Sequence, residues 1–221
     1  MLQVIARIEN DYTTKFGVPR QSGLVSEVVS TVVFEPEYRV PEALRGLEEF
    51  SHLWLIWGFD RAEGAAWSPT VRPPRLGGNT RIGVFATRSP YRPNRLGLSC
   101  VELAGIAAEA GKGTVLKVRG ADLMNGTPIY DIKPYLPYAD AHPEASGGFT
   151  DRTERKRLRV VIPEEMRRSW PEEELRALEA VLAEDPRPAY QQDPERVYAL
   201  EFAGKNVRFR VAEGTLTVTM S

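Results

Sequence analysis

The first two thirds of this chain break into short strand-like runs with no long helix between them. The runs are Leu2–Ile8, Val28–Phe34, Leu53–Phe59, Ile82–Thr87, Leu98–Ile106, Thr114–Val118 and Pro128–Ile132. Most are rich in Val, Ile, Leu and Thr and are bounded by Gly, Pro or Asn, the residues that end strands and shape turns. A doubly wound parallel sheet would need helices of about ten or more residues between its strands. None is present, which leaves a barrel or a sandwich. The one helical piece in this region, Glu42–Leu47 behind Pro41, is long enough for one or two turns.

The texture changes after Tyr138–Thr153. That stretch holds Pro143, Ser146, Gly147 and Gly148 without apolar periodicity and reads as a connector. Beyond it, Ser169 and Glu172 have the spacing of a capping box, and Leu175, Leu178, Val181 and Leu182 fall on one helical face that should end before Pro186. Three strands close the chain at Val197–Phe202, Val207–Val211 and Thr215–Met220, with turns at Gly204-Lys205 and Glu213-Gly214. The expected organisation is a β-barrel domain over 1–140, a linker over 141–155 and a small α+β domain of helix plus meander over 156–221.

Several chemistries lack their signatures. There is no G-x-G-x-x-G, no P-loop and no G-x-S-x-G elbow. His52 and His142 are far apart, and Cys100 is the single cysteine, so no zinc site is expected. Cys100 reads as a small core residue and His52 as a structural histidine. A lone cysteine, no apolar run of membrane-spanning length and no signal-peptide core point to a cytoplasmic protein. Net charge is −1, yet Arg72, Arg75, Arg81, Arg88, Arg92 and Arg95 follow one another with no acid or lysine among them. Such a run suits planar contacts to phosphate or carboxylate, or pairs with acids from elsewhere in the fold.

Three segments set Gly, Pro and polar residues beside apolar strands: Phe16–Gly23, Thr87–Ser99 and Asp122–Tyr135. Their prolines stiffen the loops and their glycines allow close backbone approach. The second reads Thr-Arg-Ser-Pro-Tyr-Arg-Pro-Asn-Arg-Leu-Gly-Leu-Ser, and the third Asp-Leu-Met-Asn-Gly-Thr-Pro-Ile-Tyr-Asp-Ile-Lys-Pro-Tyr. Both resemble the most specific motifs of the TrmO (TsaA-like) tRNA methyltransferase family. Phe50–Trp54 and Pro19–Gln21 are similar to further family motifs, and Asp185–Tyr190 resembles the C-terminal domain of its bacterial subgroup. Arg95 stands where the family often has proline, Asn125 where it has aspartate, and Asp60 where some members have histidine.

The resemblance implies a β-barrel methyltransferase of non-Rossmann type, homodimeric, with S-adenosyl-L-methionine near the subunit interface and no metal. Its substrate would be N6 of adenosine 37 in tRNA, already carrying a threonylcarbamoyl group. By motif matching, Pro19, Arg20, Gln21, Asp60, Arg61, Arg88, Leu98, Met124, Asn125, Gly126 and Thr127 would surround the cofactor. Arg88 would pair its carboxylate, while Leu98 and Met124 would cover adenine. Arg92 and Arg95 would meet the RNA backbone. Asp131 and Tyr135 are candidates for the group that takes the N6 proton, with Lys133 for the threonyl carboxylate or a phosphate. Asp131 and Lys133 share a strand face, so a structural ion pair is the competing reading. Two other functions stay open: a nucleoside- or RNA-binding module without turnover, and a methyltransferase for a small molecule or protein.

Overall fold

The structure, a computed structural model, describes residues 2–62, 66–153, 155–188, 191 and 193–219. In chain order the first region forms β1 (Ala6–Glu9), β2 (Val29–Phe34), β3 (His52–Gly58), a two-residue ribbon of β4 (Thr70–Val71) and β5 (Ile82–Gly83), then β6 (Leu96–Glu109), β7 (Gly113–Arg119) and β8 (Pro128–Pro134). Six of these pair antiparallel in the closed order β1-β2-β7-β6-β3-β8, with β8 returning to β1. Strand side chains alternate between faces, so every second residue enters the barrel. Ala6, Ile8, Val32, Phe34, Leu53, Leu55, Trp57, Val101, Leu116, Val118 and Ile129 make that core. Pro128 and Pro134 sit at the two ends of β8, where a missing N–H costs the ladder little.

The C-terminal unit contains β9 (Arg159–Val161), α2 (Glu164–Ser169), α3 (Glu172–Ala183), β10 (Tyr198–Phe202), β11 (Lys205–Ala212) and β12 (Thr215–Thr219); a short turn of helix, α1 (Pro137–Asp140), precedes it. The sheet order is β10-β11-β12-β9, and β9 runs parallel to β12. The expected meander thus gains a fourth strand that the Arg-rich stretch before α2 did not advertise. Leu175, Leu178, Val181 and Leu182 of α3 pack on Leu200, Phe202, Phe209, Leu216 and Val218. Tyr12, Val25 and Val28, from the long β1–β2 connection, belong to the same core, and Phe16 lies 6.2 Å from Phe209, ring to ring. That connection is therefore held by the C-terminal unit.

Other local expectations need correction. Ser169 is not an N-cap: it ends α2 and its hydroxyl donates to the Met166 carbonyl, while Pro171 precedes α3. Two prolines within nine residues, Pro163 and Pro171, each start a helix of their own and override the capping-box spacing. Glu42–Leu47 divides into 3-10 turns at Pro41–Leu44 and Leu47–Glu49, because Gly46 takes φ +84° between them. Ile82–Thr87 yields two strand residues, and Val84–Ala86 forms a 3-10 turn. Cys100 is not in the core: it points outward from β6, opposite Trp54. Burial and the nearby Asp140 push its thiol up, away from nucleophilic use. Tyr190 of the Asp185–Tyr190 motif and Met220 lie outside the described residues.

Candidate functional site

The three shaped segments meet. Arg88 Nη1 donates to Gln21 Oε1 at 2.7 Å, joining the first segment to the second. Ser99, closing the second, donates its hydroxyl to Asp122, which heads the third. The same Ser99 oxygen accepts Trp57 Nε1–H at 2.9 Å, so a core indole of β3 ends the chain of bonds inside the barrel. Gly97 makes this possible, since a methyl group there would fall inside the Trp57 ring. Local pattern does not mark Asp122 as a site residue, because its partner lies 23 positions away.

The Asp122 carboxyl is held above the ordinary carboxylate range, first by desolvation; bonds from Ser99 and the Ser22 backbone and the charge of Arg88 oppose this without cancelling it. A raised acid favours its neutral form in the fold. Its contribution is complete below pH about 4 and is lost as pH rises through the raised value. Asp122→Asn keeps an acceptor for Ser99 and removes the buried charge. The expected result is a higher melting temperature at pH 7, little change at pH 3, and binding of S-adenosylhomocysteine that is unchanged or tighter, because an anion that competes for Arg88 is gone. Paired melts at the two pH values and a titration check this. A lower melting temperature at pH 7, or clearly weaker ligand binding, would contradict it.

A second junction forms around the Met124–Thr127 turn. Gly126 adopts φ +82°, a left-handed conformation that a side chain would strain. Its N–H donates to Ile8 O and its carbonyl accepts Arg7 Nη1. Asn125 Oδ1 accepts Asn10 N–H at 3.1 Å, a role aspartate would fill equally, so asparagine here keeps the acceptor and drops the charge. Asn10 extends further, to Ser30 Oγ and Leu123 O, and was not foreseen because β1 gives no motif around it. Arg61 spans the junction, donating to Thr13 O and Asn125 O. Thr13 Oγ1 is buried there and has no partner among the described residues.

The remaining candidates fall in different places. Pro19 is buried, and Arg20 donates to the Asp185 and Arg187 carbonyls, so its guanidinium is spent on the C-terminal unit. Asp60 begins an exposed 3-10 turn beside Arg61. Arg92 gives both Nη1 hydrogens to its own loop, at Val84 O and Thr87 O, and stacks 5.5 Å over Phe85. The Arg95 carbonyl accepts Phe59 N–H. Leu98, 54% exposed, aligns across strands with Ile56 and Asp131 on the outer surface of the barrel. Lys133 stands in the next row, opposite Trp54, and its amine is 3.1 Å from Asp131. The Tyr135 ring lies 5.7 Å from Trp54 and 6.2 Å from His52, which itself meets Ser51 Oγ. A concavity of about 430 Å³ between Pro41, Arg45, Glu48, Ile106 and Thr114 touches none of these residues. Among the described residues no group of His, Cys, Asp and Glu is gathered for a metal, and no helix is long and apolar enough to cross a membrane.

The closed barrel joined to a small α+β unit is similar over nearly its whole length to solved structures of tRNA-methyltransferase O. Residues 7–141 match the family model of its N-terminal domain and 155–220 that of its C-terminal domain, and the chain belongs to this TrmO family. An Escherichia coli tRNA (adenine(37)-N6)-methyltransferase is 41% identical over 97% of this chain and 94% of its own length. One from Eikenella corrodens is 45% identical over 75% of this chain and 93% of its own. The crystal structure of TrmO from Pseudomonas aeruginosa, 32% identical, superposes with a TM-score of 0.77 and covers 99% of this chain and 95% of that one.

Proposed function

We propose that this protein transfers a methyl group from S-adenosyl-L-methionine to N6 of adenosine 37 in tRNA, the adenosine bearing an N6-threonylcarbamoyl group. Membership of the family across both units carries the reading. The donor set fits the cofactor: a guanidinium for its carboxylate, apolar cover for adenine, and a buried hydroxyl, Thr13 Oγ1, that has no partner among the described residues. The bound cofactor supplies an electrophilic methyl on a sulfonium.

We assign Arg88 to the carboxylate end, with Pro19, Arg20 and Gln21 as the loop behind it. Arg20 acts from a distance, by tying that loop to the C-terminal unit. Asp60, Arg61 and the turn Met124, Asn125, Gly126 and Thr127 form the other wall, with Leu98 and Met124 against the base. Asp131 takes the N6 proton, and acylation of N6 makes that proton easier to remove. Lys133 pairs with Asp131 or meets the threonyl carboxylate. Tyr135 is the alternative acceptor. Arg92 and Arg95 are assigned to the RNA backbone, Arg92 chiefly by shaping the loop through its two carbonyl bonds. Exposed Leu98 beside Ile56 supports a homodimer in which a second copy covers this outer face. We further infer a cytoplasmic enzyme divided into 1–140, a linker over 141–155 and 156–221.

Arg88→Ala tests the assignment. Calorimetry should show binding of S-adenosylhomocysteine weakened at least ten-fold, the scale of one charge-assisted bidentate contact, with the melting temperature near that of the parent. Unchanged affinity would remove Arg88 from the cofactor.

A further inference from the structure

The C-terminal unit is electrically two-sided. Its helix side carries Glu164, Glu165, Glu172, Glu173, Glu174 and Glu179 against Arg167, Arg168 and Arg176. Its sheet presents the opposite balance. Alternation along β11 sends Val207, Phe209 and Val211 into the core and leaves Arg208 and Arg210 on the solvent face. Register sets Arg208 opposite Ala199 and Thr219, Arg210 opposite Thr217, and Thr217 opposite Val161. Arg159 of β9 stands opposite Thr215 at the sheet edge. Glu201 is the one acid among the strand residues of this face, across from Asn206. Among the described residues, Arg159 and Arg208 have no acid partner, and Arg210 reaches only the exposed Glu195, at 3.8 Å. Lys205 turns the other way, pairing Glu174 and covering the Trp170 ring.

We infer that this face of the C-terminal sheet docks the phosphate backbone of the RNA substrate. Three arginines are set out in a triangle with sides of about 7, 12 and 17 Å, from the strand rise and spacing. Three threonines, Thr215, Thr217 and Thr219, stand between them with hydroxyls that also bond phosphate oxygens. A protein with net charge −1 needs its positive charge concentrated to hold a polyanion, and the helices carry six glutamates where the strand residues of this face carry one. The inference rests on the tRNA reading above. It adds a role for the C-terminal unit: gripping RNA at a distance from the chemistry.

The test is filter binding of unfractionated bacterial tRNA across a salt series, comparing the full-length parent with the triple variant Arg159→Ala, Arg208→Ala and Arg210→Ala. All three side chains are exposed, so the fold should survive, and the melting temperature and S-adenosylhomocysteine affinity are measured alongside. The variant should bind tRNA at least ten-fold more weakly and lose about 2 to 3 from the slope of log affinity against log salt, about one per lost phosphate contact. Melting and cofactor binding should hold. Equal affinity and slope in both proteins would overturn the docking face while leaving the proposed function standing. A change in oligomeric state by sedimentation, with tRNA affinity kept, would make the face a contact between copies and overturn the inference too. Failure of the parent itself to bind tRNA would overturn the function and this face together.

Discussion

Replacing Asp131 by asparagine is expected to lower the single-turnover rate of methyl transfer by roughly 10²–10⁴, the range for losing a general base. Affinity for S-adenosylhomocysteine should hardly move. The ion pair with Lys133 shapes what else to expect. Asp131 and Lys133 are 3.1 Å apart, but their side chains are 46% and 63% exposed. A pair so open to solvent contributes about 0–1 kcal/mol. Its loss should therefore shift melting by no more than a few degrees, and a large fall in rate could not be blamed on unfolding. The other Asp131 oxygen accepts the Ile132 N–H, and the asparagine can keep that bond. Rapid-quench assays with enzyme in excess over tRNA decide the matter. A folded variant with near-parental rate would take Asp131 out of the mechanism and leave Tyr135, or alignment of the reactants alone.

Phe209→Ala is expected to cost about 3–5 kcal/mol of stability, as large-to-small changes at aromatic core positions do. Phe209 is fully buried between α3 and the sheet, and the Phe16 ring lies against it. Phe16 leads into the loop of Pro19, Arg20 and Gln21, and Arg20 is anchored to the Asp185 and Arg187 carbonyls. The variant should thus also bind S-adenosylhomocysteine more weakly at temperatures where it remains folded. Urea unfolding and calorimetry on the same sample measure both effects. A loss under about 1 kcal/mol would mean that the core tolerates the cavity, and unchanged ligand affinity would separate the loop from the C-terminal unit.

Runs rich in Val, Ile, Leu and Thr between Gly, Pro or Asn boundaries were enough to read most of the barrel strands, because each strand has one face in the core. Val29–Phe34 and His52–Gly58 came out within one residue. Short elements without a buried stripe were less legible. The strand Arg159–Val161 buries none of its three side chains fully, so only its pairing with β12 reveals it. At the candidate site, stiff Pro- and Gly-rich loops marked three segments that meet in the fold. The contacts between them were hidden because each runs across the fold: Arg88 to Gln21, Ser99 to Asp122, Arg61 to Asn125. The link from Arg20 to the C-terminal unit spans 165 positions or more and has no local trace.

The most direct measurement supplies methyl-labelled S-adenosyl-L-methionine and tRNA to the purified protein and digests the product to nucleosides. Two tRNA samples are compared, with and without the threonylcarbamoyl group at adenosine 37. A site built to pair a group discriminates strongly against its absence. Label should accumulate in N6-methylated threonylcarbamoyladenosine from the modified sample and stay at background in the other. Label in a different nucleoside, equal rates on both samples, or no transfer at all would contradict the account.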